Sequence, residues 1–194
     1  MVAGKTKAVS DNEEIMRNYT NTILILIAGL MFSSCNLWED DDELSMYRRP
    51  YEGTELRIDG YYYEKSTDYY GEEWIHVYFF YNNGILLNGL SMKIEDIEYN
   101  ENEFRNGDFY SFAKKYKDNW GVYQIHGDSI AFERWYPDYP VTPAYIRIGR
   151  ILNDTTFYIY KSVRSNGSET RSKDETYYFK EFDGKPDSTN RFIE

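Results

Sequence analysis

The chain is nearly devoid of cysteine and histidine. Cys35 is the one cysteine in 194 residues, so no disulfide can form within a chain. The two histidines, His76 and His126, have no neighbouring cysteine and form no HxH or HExxH pattern. Metal sites need clustered ligands at set spacings, so both histidines are expected to be structural or surface residues. A D-x-[DN]-x-[DN]-G-x5-E calcium loop, a glycine-rich phosphate loop and a GxSxG elbow are all missing. No metal site, no cofactor and no catalytic residue is therefore expected, and the chain reads as a non-enzyme.

Long apolar runs are lacking too. The stretch 23–32 is ten residues long, against the ~20 that a helix needs to cross a bilayer. Positive charge is also short: 22 Lys and Arg stand against 33 Asp and Glu, a net charge of −11. Within 1–35, Lys5, Lys7 and Arg17 cancel Asp11, Glu13 and Glu14, so the excess lies after Cys35. An acidic surface repels phosphate backbones, which excludes nucleic acid as an expected partner and favours a soluble monomer.

Met16 and Arg17, the apolar run 23–32 and Ser33-Ser34-Cys35 have the make-up of a secretory signal rather than a membrane span. The stretch MFSSC resembles the lipobox of bacterial lipoproteins, with Phe32 where the commonest version has Leu. That resemblance implies a diacylglycerol on the Cys35 thiol, cleavage before Cys35 and acylation of the new amine. It also implies membrane attachment, and it removes the lone thiol from any chemistry. Asp11, Glu13 and Glu14 sit badly in front of such a signal, so translation is expected to begin at Met16.

Glu39, Asp40, Asp41, Asp42 and Glu43 follow the anchor in one run. Like charges in a block repel and stay solvated, which reads as a tether. The run also resembles the acidic signal that sends some lipoproteins to the outer face of the outer membrane. The expected layout is a signal at 1–34, a lipidated acidic tether at 35–54, and one β domain at 55–194, facing the cell exterior.

From Glu55 onward, short tyrosine-rich runs alternate with turn residues, the habit of all-β domains. Strands are expected at 56–60, 74–81, 85–90, 120–126, 129–135, 144–152, 155–162 and 175–182. Asn82-Asn83-Gly84 suits a tight hairpin. Residues 92–106 read as a polar excursion. Phe109, Phe112, Ala113 and Tyr116 then suit one short amphipathic helix with Asp108 as its cap.

Eight antiparallel strands in sequence can close into an up-and-down barrel, and a two-sheet sandwich is the alternative. The stretches WGVYQIHGDSIAFERW, GRILNDTTFYIYKS and YYFKEFDGKPDS resemble small lipocalin-like lipoproteins of gut-type bacteria. The resemblance implies a barrel that holds a small apolar or glycan-like ligand, with unassigned binding residues. The alternative is a solid barrel that serves the cell envelope as a protein-interaction or inhibitor module. Glu133, between Phe132 and Arg134, is the acid most worth following; as a structural residue it would be exposed or Arg-paired.

Overall fold

The computed structural model describes residues 41–138 and 141–194, apart from the side chains of Asp108 and Tyr110. Cys35, Glu39, Asp40 and the signal at 1–34 lie outside the described residues.

Eight strands run in order: β1 Gly60–Thr67, β2 Glu73–Phe80, β3 Ile85–Lys93, β4 Trp120–His126, β5 Ser129–Trp135, β6 Ala144–Asn153, β7 Thr156–Arg164 and β8 Thr170–Glu181. Each pairs antiparallel with the next, and β1 pairs with β8 to close the barrel. This is the expected up-and-down barrel rather than a sandwich. The turns alternate between two ends. The lower end carries Asn82-Asn83-Gly84, Gly127-Asp128 and Asp154-Thr155; the upper end carries 68–72, 94–119, 136–143 and 165–169. Gly84 takes a left-handed φ of 82°, and a Cβ there would lie 2.1 Å from the Arg49 carbonyl oxygen. Only glycine fits that turn.

Strand parity separates two cores. On β2, Tyr78 and Phe80 point inward with Tyr62, Tyr123, Phe132, Phe157 and Tyr177. The rings meet closely: Phe80 and Tyr123 have centroids 4.9 Å apart at 81°, and Phe157 stacks on Tyr177 at 4.8 Å. Such pairs contribute about 0.5–1.5 kcal/mol each beyond burial. The lower interior is filled with aromatic side chains.

The outward residues Ile75, Val77 and Phe79 join Tyr61, Leu87 and Trp120 in a second core. Two helices between β3 and β4 cover it: α1 Ile97–Asn106 and α2 Asp108–Ala113. Phe104 of α1 meets Phe79 at 5.1 Å and 89°. Gly107, at φ 79°, ends α1 in the left-handed form that glycine favours there.

Several boundaries differ from expectation, among them β8, which begins at Thr170 rather than 175, and β3, which runs on to Lys93. Helix α1 falls in the stretch read as a polar excursion, because only Glu101 and Phe104 of its ten residues are buried and no apolar period is visible. In α2, Ala113 is buried, but Phe112 is 54% exposed and Tyr116, beyond the helix, 48%. The first strand starts at Gly60, not 56. Leu56 instead plugs the lower end of the barrel, where its amide donates to the Tyr51 hydroxyl at 2.8 Å.

The end of the acidic run is held against the barrel from Asp41 onward. Asp42 Oδ2 accepts from Arg164 Nε at 2.8 Å and from the Ala144 amide at 3.1 Å. Trp135 Nε1 donates to the Asp42 carbonyl at 2.7 Å. Asp41 Oδ1 accepts from the Thr142 amide at 2.8 Å, and Asp41 Oδ2 lies 3.3 Å from Lys117 Nζ. These two acids are strapped across the upper end of the barrel, because the fold brings cations and peptide N–H groups to meet them. Glu43 is exposed.

Candidate functional site

Moving up the interior, aromatic residues give way to charge. On β5 the inward face passes from Phe132 to Arg134, on β8 from Tyr177 to Glu175, and on β2 from Tyr78 to His76. Glu64 of β1 pairs across strands with both His76 and Tyr177, which sets it in the same layer. Arg147 of β6 sits opposite Phe132, and Tyr136 enters from the loop after β5.

Arg134 is 4% exposed, and its bonded partners are neutral. Its Nε donates to the Tyr78 hydroxyl at 3.1 Å, and its Nη1 to the carbonyls of Asp118 and Trp135 at 2.9 Å each. The guanidinium lies 3.7 Å from the centre of the Tyr136 ring. Among the described residues no carboxylate pairs with it. A buried charge without a counterion costs several kcal/mol, on the order of what a good ion pair restores.

Arg147 Nη1 reaches both oxygens of Glu175, at 2.7 and 2.6 Å, while its Nε donates to the Tyr136 hydroxyl at 3.0 Å. Lys173 shares the same carboxylate at 3.1 Å. Burial opposes ionisation of Glu175, but Arg147 and Lys173 hold its carboxyl below the usual range. Burial likewise works against ionisation of Tyr136. The guanidiniums of Arg134 and Arg147 outweigh it and keep that phenol below its ordinary value. Glu64 moves the other way, raised by burial and by Glu175.

His76 is pushed down to about 4 by burial and then by Arg134 and Arg147. It is neutral at physiological pH. Its Nδ1 bonds to Ser91 Oγ at 2.8 Å, while the covered Nε2 has no partner and Asn88 stands nearby without bonding geometry.

A recess of about 200 Å³ opens from this layer at the upper end, with Tyr136, Asp138, Tyr145, Arg147, Ser162, Arg171 and Lys173 among the residues on its walls. Tyr136 and Tyr145 meet edge to face at 5.5 Å, and the Tyr145 hydroxyl donates to Glu169 at 2.6 Å. Arg171 Nε also bonds to Glu169.

The residues singled out from sequence scatter. His76 belongs to the polar layer, whereas His126 is exposed at the lower end of β4. Glu133 is fully buried on the outward side of β5, neither exposed nor paired with an arginine. It accepts from the Ser45 amide at 2.9 Å, Ser45 Oγ at 3.0 Å, the Met46 amide at 2.5 Å and Ser165 Oγ. It clamps the strap at 41–46 and plays no part in the recess. Among the described residues, no group of three or more His, Cys, Asp or Glu is placed to hold a metal ion. Arg134, Tyr136, Arg147, Glu175 and Lys173 were not foreseen. Their one sequence signal is parity, since Arg134 shares a face with Phe132.

No family model, curated protein or solved structure matches the chain.

Proposed function

We propose that this chain is an envelope lipoprotein anchored through Cys35, whose barrel binds a small polar, glycan-like molecule at its upper end. The observation that carries the reading is the contrast between the two halves of the interior. Below, aromatic rings fill the space that an apolar ligand would need. Above, hydroxyls and charges from β6, β8 and the loop after β5 converge on an open recess. Small-molecule sites are concavities with a few convergent polar groups, often in the mouths of barrels. The recess is below the usual ~300–1,000 Å³ of such sites, so it suits one sugar-sized group.

Five residues lie between Cys35 and the clamped Asp41, so the six steps along the chain reach at most ~22 Å at ~3.6 Å per residue. Lipidation would thus hold the barrel close to the membrane surface, without a long charged spacer. The solid-barrel reading, a protein-interaction or inhibitor module, draws its support from the filled lower interior.

The test is a binding screen on the intact lipidated protein in detergent, using monosaccharides and their acidic derivatives, read by calorimetry. Binding that Tyr145→Ala abolishes supports the reading. A screen with no binder, alongside co-purification of one envelope protein, would favour the solid barrel. Cys35→Ala should abolish lipid labelling and membrane retention.

A further inference from the structure

We infer that the recess is an oxyanion site, which takes the carboxylate or phosphate group of its ligand on Arg147, Arg171 and Lys173. This deepens the ligand-binding reading above and rests on it.

Three cations from two strands border one recess of about 200 Å³ in a chain of net charge −11. Their internal carboxylates do not saturate them. Glu175 serves two cations at once, Arg147 and Lys173. Arg147 spends Nη1 on Glu175 and Nε on Tyr136, which leaves its Nη2 edge for another acceptor. Arg171 bonds to Glu169 through Nε, and its two terminal nitrogens make no bond within the described residues. A guanidinium edge is a fork that suits a planar or tetrahedral oxyanion.

Beneath the recess, Arg134 adds a buried positive charge whose hydrogen bonds all go to neutral groups. The Tyr136 ring separates it from the opening at 3.7 Å, so it acts through space rather than by contact. Glu64, the other acid of the layer, and Asp138 on the recess wall stand with Glu175 against these cations. Recognition therefore rests on the unspent guanidinium edges of Arg147 and Arg171 and on the Lys173 ammonium, rather than on a shortage of negative charge. The Ser162 hydroxyl lines the same walls and can donate to the oxyanion, while the Tyr145 hydroxyl, which donates to Glu169, can accept from a hydroxyl of the carrier.

Size agrees with this chemistry. A cavity of ~150 Å³ accommodates a benzene ring, so the recess admits an acid group with a ring-sized carrier and little more. The net charge of −11 does not help, because it repels anions at long range. Screening confines that repulsion to about 8 Å at physiological ionic strength, and recognition is left to the local cations.

The experiment is calorimetry on the intact lipidated protein with glucuronate, inorganic phosphate and glucose as probes. The comparison protein carries Arg171→Gln and Lys173→Gln, two rim positions outside the cores. Glucuronate or phosphate should bind, glucose should not, and the double variant should lose about tenfold or more in affinity. Glucuronate alone binding assigns a carboxylate, phosphate alone a phosphoryl group, and both an oxyanion of either origin. Glucose binding as well as glucuronate would overturn the oxyanion site while leaving the sugar-binding reading intact. No binding of any probe overturns both. Acid binding that the double variant leaves unchanged would place the anion elsewhere and overturn the assignment.

Discussion

Asp42 and Arg164, 122 residues apart, meet at the upper end of the barrel through two nitrogen–oxygen contacts of 2.8 and 3.2 Å. The pair joins the start of the described chain to the end of β7. With side chains 11% and 18% exposed, it is half-buried rather than a surface ion pair.

Asp42→Asn should therefore destabilise the fold by about 1–2 kcal/mol, the cost of breaking a buried pair discounted for partial solvent screening. The Arg164 bond, with help from the Ala144 amide, outweighs burial and holds the Asp42 carboxyl below its ordinary value. A depressed carboxyl contributes stability that is present above its unfolded value of about 4 and lost as pH falls through the folded value. Urea unfolding of wild type and Asp42→Asn should differ at pH 7 and converge near pH 2.

His76 titrates in the opposite setting, a base that burial keeps neutral. Its folded value of about 4 lies below the unfolded ~6.5, so the unfolded chain binds the proton first. Its contribution is complete above pH ~6.5 and is lost as pH falls toward 4. Between those limits wild-type stability should slope by about 2–3 kcal/mol, and His76→Asn should flatten that part of the curve. An unchanged slope in the variant would show that His76 is not the titrating group.

Glu133 gathers four donors from Ser45, Met46 and Ser165 in a fully buried position. Glu133→Ala should cost about 3 kcal/mol, since buried donors left without an acceptor cost ~1–3 kcal/mol apiece and some regain water. Limited proteolysis should then cut near Arg48 and Arg49 well before the barrel unfolds. Equal cleavage rates in both proteins would contradict the clamp.

Tyr136 lies between Arg134 and Arg147, and both guanidiniums favour its ionised form. An ultraviolet titration should show one tyrosine ionising ahead of the rest, and Tyr136→Phe should remove that early step. Tyr78 and Tyr177 belong to the late group, because burial raises both.

Much of the barrel is legible in the chain. Hairpin residues such as Asn82-Asn83-Gly84, together with alternation in β4 to β7, locate most strands within a few residues. Helix α1 is not legible, because Phe104 and Glu101 alone make its buried face. The acidic run misleads for a related reason. Asp41 and Asp42 repel each other locally, but their partners Lys117, Thr142, Ala144 and Arg164 lie far along the chain.

By itself the sequence determines the order of the strands and the ends at which they turn. It also leaves one thiol, so no internal disulfide is available. Local alternation and turn chemistry suffice for that. Only closure of β1 on β8 decides the heights at which side chains meet inside. His76, Arg134, Arg147 and Glu175 come from four strands, and their register depends on every pairing between them. The same closure divides the interior into a filled aromatic floor and a charged mouth. Parity along one strand tells which way a side chain points, and the assembled barrel alone tells what it meets.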